Sequence, residues 1–257
     1  KKPLVYSRLT KRLHANDMGS FEEYIAAIEE NNSPAEMEQL ITALTTNVTS
    51  YFRERHHFDF FAKTVVPKLQ LRHQRKQPIR IWSAGCSSGE EPYSIAMCLL
   101  ENWPQARNIG LKILATDVDS TIIAKAASGV ISERDLEKLS EEGYARFVDQ
   151  SPLGYRIAPA ARDLISFGKL NLNSEWPITG PFDAIFCRNV AIYFEKSTQS
   201  LLWQRLIEKL KSGGNLFIGH SERVTGCSSR YVSLKSITTY EKLDCPEGYS
   251  KGNANES

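Results

Sequence analysis

The stretch from Ile79 to Tyr93 reads IRIWSAGCSSGEEPY and decides the fold class of the chain. Its first four residues are mostly apolar, which predicts a short buried strand. The glycines and serines that follow predict a tight turn, and an apolar helix is expected from about Glu90 to Glu101. Glycine lets the backbone approach a ligand closely, and a helix N-terminus offers free N–H groups. A strand, a glycine-rich loop and a helix in this order are typical of the ligand-binding edge of an open α/β sheet.

The glycine-rich loop departs from two common phosphate-binding motifs. Gly85 and Gly89 do not form the G-x-G-x-x-G spacing of dinucleotide-binding proteins, and no lysine follows Gly89 as it would in a Walker loop. The Walker motif is therefore rejected, and the dinucleotide motif is weakened. A purely structural tight turn remains an alternative.

The sequence beyond this stretch alternates between strand and helix patterns. The predicted elements are strands over Leu111–Thr116, Phe182–Cys187 and Asn215–Ile218, and helices over Ile122–Ala127 and Leu201–Leu210. Gly213-Gly214 is expected to end the last helix before the last strand begins. Such alternation predicts a mostly parallel sheet covered by helices on both faces. The predicted fold class is therefore α/β and Rossmann-like.

The remaining patterns suggest how the chain is divided into domains. Residues 1–76 are expected to form a small N-terminal helical domain and linker, followed by an αβ domain over residues 77–243. A stretch at about 130–170 interrupts the alternation and is interpreted as an insertion. Within it, Gly154–Ile157 and Leu164–Phe167 are expected to be short antiparallel strands.

Finer predictions concern the two ends of the chain. Helices are expected to begin after Ser20 and at Ser33-Pro34, and a third is expected to run from about His56 to Arg75. At the other end, Tyr231–Leu243 is predicted to be a pair of strands. The polar segment 244–257 is expected to be a disordered tail.

The composition of the 257 residues is close to that of an average globular protein, with 41% hydrophobic and 24% charged residues. The net charge of +2 argues against a dedicated nucleic-acid-binding protein, and no run approaches the ~20 apolar residues of a membrane span. The five cysteines are widely spaced without a CxxC pair, so neither disulfides nor a bound metal is expected. The first residues lack the apolar region of a signal peptide. These features predict a cytoplasmic protein.

Three polar motifs supply candidate site residues. Asp117 ends the second predicted strand, where a carboxylate can accept hydrogen bonds from both hydroxyls of a ribose; a helix cap is the alternative. Arg188 and Asn189 follow the third strand and should reach the same sheet edge, where Tyr193 could form an aromatic wall. An ion pair for Arg188 and a core position for Tyr193 are the structural alternatives. Arg53 offers a planar cation to a carboxylate, although a surface arginine is the simpler interpretation of that motif alone.

Four stretches taken together resemble the chemotaxis receptor methyltransferases, the CheR family. They are Asn47–Arg53, Trp82–Ser94, Ala115–Asp119 and Phe182–Phe194, and Gly219-His220-Ser221-Glu222 also fits. The resemblance extends from about Tyr6 to Leu243. It implies a methyltransferase that uses S-adenosylmethionine, releases S-adenosylhomocysteine and esterifies glutamate side chains on the cytoplasmic helices of chemoreceptors. The implied fold is a methyltransferase domain with a small N-terminal helical domain and an inserted antiparallel β-subdomain.

The resemblance also implies roles for individual residues. Arg53 and Tyr193 match the positions closest to the transferred methyl group and are the candidate catalytic residues. Asp117 would hold the ribose, and Asn171 and Leu172 would flank the adenine. The candidate cofactor-binding residues are Asn47, Thr49, Arg53, Glu91, Asp117, Asn171, Leu172, Arg188 and Asn189, with Gly85 from the glycine-rich loop.

Two features depart from the family pattern. The N-terminal domain is expected to be short by a helix or more, and the hairpin around Ser151–Ile157 is short, which argues against tethering through a receptor's C-terminal pentapeptide. The expected partner is the cytoplasmic domain of a chemoreceptor, with no nucleic acid and no membrane insertion, and the protein is expected to be a monomer.

Three other functions remain as alternatives at this point: a cofactor-binding sensor or adaptor, a methyltransferase of a nucleic acid or small molecule, and a Rossmann dehydrogenase. The turn that follows the third predicted strand lacks the Pro-Pro-aromatic sequence of enzymes that methylate base amino groups. The missing turn and the near-neutral charge count against a base-methylating enzyme.

Overall fold

The computed structural model describes residues 2–31, 33–152 and 154–244. The chain begins with an N-terminal helical unit of three helices, α1 (Lys2–Ala15), α2 (Phe21–Asn31) and α3 (Pro34–Leu44). Its small core contains Leu13, Tyr24 and Ile28.

The ends of these helices are set by polar side chains. Ser20 and Ser33 each accept a hydrogen bond from a backbone N–H in the first turn of the helix that follows, which confirms the two predicted helix starts. At the C-terminal end of α3, the Arg8 guanidinium donates to the carbonyls of Leu44 and Thr45. The end of α3 is therefore held by a residue of α1.

A helical connection leads from this unit into the main domain. It consists of α4 (His56–Phe60), a wider π-helical segment over Phe61–Val65, and α5 (Val66–Gln74). Phe58, Phe61 and Leu69 are buried in the main core. The helix predicted from about His56 to Arg75 is confirmed.

Five further helices follow, and ten strands form two sheets. The helices are α6 (Glu90–Asn102), α7 (Ser120–Ser128), α8 (Glu133–Glu141), α9 (Pro159–Arg162) and α10 (Lys196–Glu208). The strands are β1 (Arg80–Ala84), β2 (Lys112–Asp117), β3 (Val130–Ile131), β4 (Val148–Ser151), β5 (Gly154–Ile157), β6 (Ile165–Lys169), β7 (Phe182–Cys187), β8 (Leu210–Ile218), β9 (Val232–Ser236) and β10 (Thr239–Lys242). Among the described helices, none is both long enough and apolar enough to cross a lipid bilayer.

The main sheet has seven strands in the order β6-β2-β1-β7-β8-β10-β9. The five strands from β6 to β8 are parallel, whereas β10 and β9 run antiparallel at one edge. The chain passes from β1 to β2 on one side and later enters β7 on the other. The order of the strands therefore reverses between β1 and β7, and α/β sheets bind ligands beyond the carboxyl ends of the strands at such a point.

Both faces of the sheet are covered, as the alternation of strands and helices predicts. In β1, Ile81 belongs to the core on one face and the neighbouring Trp82 to the core on the other. Trp82 lies opposite Leu114 of β2 and Ile185 of β7, which sets the register of the three central strands. The carboxyl ends of these strands consequently lie side by side.

The inserted segment differs in part from its prediction. A small antiparallel sheet in the order β3-β5-β4 is present, and β5 is the predicted strand Gly154–Ile157. The prediction of an antiparallel strand over Leu164–Phe167 is wrong, because β6 pairs in parallel with β2 in the main sheet. Local sequence pattern does not encode this pairing, since the strand partner lies about 50 residues earlier.

The boundary between α10 and β8 is also corrected. The helix ends at Glu208, and β8 begins at Leu210 and includes both Gly213 and Gly214. Gly213 has φ +68°, and the pairing of β7 with β8 shifts register near this point. The two glycines therefore allow the backbone to adopt an irregular, bulge-like conformation within the strand. The strand pair predicted over Tyr231–Leu243 is confirmed as β9 and β10, and the predicted polar tail lies, beyond Asp244, outside the described residues.

Candidate functional site

A cavity of about 580 Å³ lies at the carboxyl edge of the main sheet, beneath the end of the N-terminal helical unit. Its walls come from the end of α3 with the segment up to Arg53, and from the segments that follow β1, β2, β6 and β7. All the sequence-predicted site residues line this cavity: Asn47, Thr49, Arg53, Gly85, Glu91, Asp117, Asn171, Leu172, Arg188, Asn189 and Tyr193. Residues from five separate stretches thus meet in one place.

The loop after β1 is shaped by its glycines. Gly85 has φ +83°, and a Cβ atom at this position would lie 2.4 Å from a methyl carbon of Val190. The backbone N–H groups of Gly85 and Cys86 both donate to the carbonyl of Thr116 in the neighbouring strand. Glycine is needed here because the loop is both left-handed and pressed against the segment after β7. Gly85 and Val190 both line the cavity, so this contact shapes its wall.

Asp117 ends β2 at the side of the cavity and is nearly buried. Its carboxylate accepts hydrogen bonds from the backbone N–H groups of Ser87 at 2.8 Å and Asp119 at 3.2 Å. Burial raises the pKa of Asp117, and these two hydrogen bonds oppose the increase. An ionised carboxylate has about four acceptor positions. Asp117 therefore retains acceptor capacity for the two hydroxyls of a ribose.

Arg188 is held in a buried cluster of opposite charges. Its guanidinium lies 3.3 Å from the carboxylate of Glu91 and 3.3 Å from that of Glu54, and it donates to the carbonyl of Arg53. Ser83 donates to the other oxygen of Glu91 at 2.7 Å. Burial raises the pKa of Glu91, while the charge of Arg188 opposes this increase. Arg188 thus joins the segment that carries Arg53 to the end of β7.

Arg53 has a different environment on the same cavity. It is partly exposed, and its guanidinium donates to the carbonyl of Val48 at 3.0 Å. Among the residues that the structure describes, no carboxylate forms an ion pair with Arg53. Val48 is 77% exposed and Tyr193 is 52% exposed, and both also line the cavity. The accessible side of the cavity therefore carries a cation and two apolar surfaces.

The sequence predictions miss two glutamates that shape the site. Glu222 is buried and accepts hydrogen bonds from the backbone N–H groups of Gly219, Asn189 and Ile192. It thereby holds Asn189 at φ +59°, a left-handed conformation. The family resemblance includes the stretch Gly219-His220-Ser221-Glu222, but it implies no role for Glu222.

Glu54 is the second glutamate that was missed. Besides its contact with Arg188, its carboxylate accepts a hydrogen bond from the His220 ring at 3.0 Å and lies 3.4 Å from the buried His57. Nothing in the sequence around Glu54 distinguishes it from a surface glutamate. Its contacts with Arg188 and His220 come from the segments after β7 and after β8, which lie near Glu54 only in the folded chain.

Glu54, His56 and His57 have potential ligand atoms within 4.8 Å of one another, a spacing that could hold a metal ion. The Arg188 guanidinium already lies against the Glu54 carboxylate and would repel a second cation. The expectation that the protein binds no metal stays a prediction.

Comparisons with known proteins point in one direction. Residues 47–240 match the family model described as CheR methyltransferase, SAM binding domain, and residues 1–45 match CheR methyltransferase, all-alpha domain. A probable chemotaxis protein methyltransferase of Rhizobium etli is 40% identical over 244 residues, which cover 93% of this chain and 91% of that protein.

Two other relatives give the same result. Chemotaxis protein methyltransferase 2 of Pseudomonas aeruginosa is 41% identical over 233 residues, which cover 89% of this chain and 81% of that protein. The chemotaxis protein methyltransferase of Salmonella typhimurium is 38% identical over 245 residues, which cover 93% of this chain and 82% of that protein.

The cavity fits S-adenosylmethionine in volume and in chemistry. Its volume lies within the range of about 300–1,000 Å³ that is usual for small-molecule sites. Asp117 offers acceptors for a ribose, and Leu170 and Leu172 offer apolar surface to a flat base. The carboxylate of Asp117, which accepts only from backbone N–H groups within the described residues, gives the cavity a negative component that suits a ligand with a positively charged sulfur.

Proposed function

Because this chain belongs to the CheR methyltransferase family, we propose that it esterifies glutamate side chains on the cytoplasmic helices of chemoreceptors. Membership in the family makes it an S-adenosylmethionine-dependent methyltransferase of chemotaxis. The proposal adds the acceptor, which is the carboxylate of a glutamate in a receptor, and thus the activity of a protein-glutamate O-methyltransferase. It also takes the enzyme to be a cytoplasmic monomer that binds no nucleic acid.

The contrast between the two arginines of the cavity supports a carboxylate acceptor. Arg188 is buried and lies against two carboxylates of the protein, so its charge is already compensated. Arg53 is partly exposed, and within the described part of the chain its only hydrogen-bond acceptor is the carbonyl of Val48. A planar guanidinium that lacks a carboxylate partner is well suited to bind one from a substrate.

The chemistry requires alignment more than proton transfer. When bound, S-adenosylmethionine supplies a methyl group on a positively charged sulfur, and displacement by a carboxylate oxygen gives a methyl ester and S-adenosylhomocysteine. A glutamate carboxylate is already ionised near neutral pH, so the enzyme needs no general base. We assign to Arg53 the orientation of the carboxylate, and to Tyr193 one wall of the path between the reacting atoms. Asp117 and Glu91 hold the cofactor side of the cavity, and the apolar surfaces exclude water.

A methylation assay tests the acceptor. The enzyme is incubated with methyl-labelled cofactor and a receptor cytoplasmic fragment, and the labelled peptides are mapped. We expect label on glutamates that is released as methanol in alkali, and no label on a fragment whose mapped glutamates are replaced by glutamine. Label that resists alkali, or that appears only on RNA or a small molecule, would overturn the proposed acceptor. Binding of S-adenosylhomocysteine without any transfer would instead indicate a sensor or adaptor.

A further inference from the structure

Asp119 links the N-terminal helical unit to the methyltransferase domain. It is 1% exposed and caps α7 by accepting hydrogen bonds from the backbone N–H groups of Thr121 and Ile122. The same carboxylate accepts hydrogen bonds from the hydroxyls of Thr42 at 3.0 Å and Thr45 at 3.1 Å. One buried carboxylate therefore caps a helix of the methyltransferase domain and also accepts hydrogen bonds from the end of α3 in the N-terminal helical unit.

The contacts of Asp119 lead directly to the cavity. Neither Asp119 nor Thr42 is among the described residues that line it, whereas Thr45 and Asn47 are. The Asn47 side-chain amide donates to Asp119 at 3.3 Å, and the backbone N–H of Asp119 donates to the carboxylate of Asp117 at 3.2 Å. Asp119 thus contacts the N-terminal wall of the cavity and also Asp117, the candidate ribose-binding residue.

We infer that Asp119 is a positioning residue that couples docking of the N-terminal helical unit to cofactor binding. When the helical unit docks through Thr42, Thr45 and Asn47, the segment 45–50 takes its place as one wall of the cavity. A cofactor that contacts this wall binds more tightly to the docked form and so stabilises docking in return. The inference rests on cofactor binding by this family and not on the identity of the methyl acceptor.

A substitution at Thr42 tests this coupling without touching the cavity. Thr42→Val keeps the shape of the side chain but removes the hydroxyl that donates to Asp119. We expect the dissociation constant of S-adenosylhomocysteine, measured by calorimetry, to rise about 3- to 10-fold, a size typical of modest coupling between sites. Thr42→Ser, which keeps the hydroxyl, should restore near-wild-type affinity. The matched control is Thr10→Val, because Thr10 donates only within α1, to the carbonyl of Tyr6.

Hydrogen exchange gives an independent readout. In the wild-type protein, S-adenosylhomocysteine should slow exchange in residues 34–44, most of which lie outside the cavity, and this protection should be weaker in Thr42→Val. Asp119→Asn offers a second variant that preserves a good helix cap but removes one charged acceptor, and it should behave like Thr42→Val. Unchanged affinity in both variants, or no effect of the ligand on exchange over 34–44 in the wild type, would overturn the inference.

Discussion

The charged residues of the site fall into two groups. Some are compensated by other groups of the protein, and others keep hydrogen-bonding capacity for ligands. Arg188 and Glu91 neutralise each other under the cavity, and Asp117 is fixed by two backbone N–H groups. These groups are pre-oriented, so little ordering is required when a ligand arrives. Arg53 differs because its guanidinium is directed by one carbonyl only and keeps donors for a substrate.

Substitution of Arg53 should affect catalysis more than cofactor binding. Arg53→Ala removes the cation that we propose to orient the acceptor carboxylate, and misalignment of the reacting groups costs about 100-fold in rate. We therefore expect a loss of turnover of this size, measured with labelled cofactor and receptor fragment, with a much smaller change in the dissociation constant of S-adenosylhomocysteine. The matched control is Arg55→Ala, since Arg55 pairs with Asp59 and Glu142 away from the cavity. Unchanged turnover in Arg53→Ala would refute the assignment.

Substitution of Asp117 should have the opposite pattern. Asp117→Ala removes the proposed acceptor for the ribose and leaves the ribose hydroxyls without this partner in the bound state, which costs about 1–3 kcal/mol of binding free energy. Cofactor binding, measured by calorimetry, should weaken by roughly 5- to 150-fold, because 1.4 kcal/mol corresponds to a factor of ten. Asp149→Ala, at an exposed aspartate of β4, is the control. Wild-type affinity in Asp117→Ala would remove this residue from the site.

At the scale of elements, the loop between β1 and α6 determines whether the cavity can exist. The loop must turn sharply at the end of a buried strand, and it must also let the segment after β7 approach. Gly85 meets both needs, since it is left-handed and in contact with Val190. A larger residue would therefore move a wall of the cavity as well as strain the loop.

The two demands on Gly85 can be separated by comparison with another glycine. Gly110 is also left-handed, at φ +72°, but an added Cβ would meet nothing within 4 Å. Gly110→Ala should therefore cost only the backbone strain, about 1–2 kcal/mol. Gly85→Ala should cost a further 1–3 kcal/mol or so from overpacking against Val190. Urea denaturation measures both, and equal losses in the two variants would show that Val190 can move aside without cost.

At the scale of the whole molecule, a buried polar cluster joins distant parts of the chain behind the cavity. His57 is fully buried in α4, and its Nε2 lies 2.9 Å from the hydroxyl of Thr238 and 3.2 Å from the carbonyl of Ile237. Burial and the nearby charge of Arg188 lower the pKa of His57 to about 3. Burial would raise the pKa of Glu54, but hydrogen bonds from His220 and the charge of Arg188 lower it to about 2. The folded protein therefore holds a neutral histidine beside a carboxylate.

This cluster should make folding stability depend on pH in the mildly acidic range. The folded state keeps His57 neutral down to about pH 3, whereas the unfolded chain protonates this histidine below its ordinary pKa of 6.5. Stability is therefore complete above pH 6.5 and is lost as the pH falls towards 3, by up to about 1.4 kcal/mol per pH unit. Glu54 acts with the same sign, but only below its ordinary pKa of 4.5.

Urea denaturation between pH 7 and pH 5 isolates the contribution of His57. The free energy of unfolding should fall with pH in the wild type, and the slope should be clearly smaller in His57→Gln, whatever its absolute stability. His73→Gln, at an exposed histidine of α5, is the control and should keep the wild-type slope. An identical slope in His57→Gln would contradict the assignment of this pH dependence to His57.

Local patterns in the amino-acid sequence are sufficient to predict several elements of this fold. The strand Ile79–Trp82 with its glycine-rich loop, the buried strand Phe182–Cys187 and the helix starts at Ser20 and Ser33 all follow from apolar periodicity and capping chemistry, and the structure contains each of them. Asp117, Arg188 and Asn189 are predicted from motifs at the ends of such strands, whereas Asn171 and Leu172 are implied only by the family resemblance; all five line one cavity.

Features that depend on pairing between distant segments became evident only in the folded structure. It placed β6 in parallel beside β2, included Gly213-Gly214 within β8, and surrounded the half-buried Glu54 and the buried Glu222 and Asp119 with partners from other elements. The physical reason is that a strand partner or the counter-charge of a carboxylate is chosen by proximity in space. A local window of sequence contains no record of that proximity.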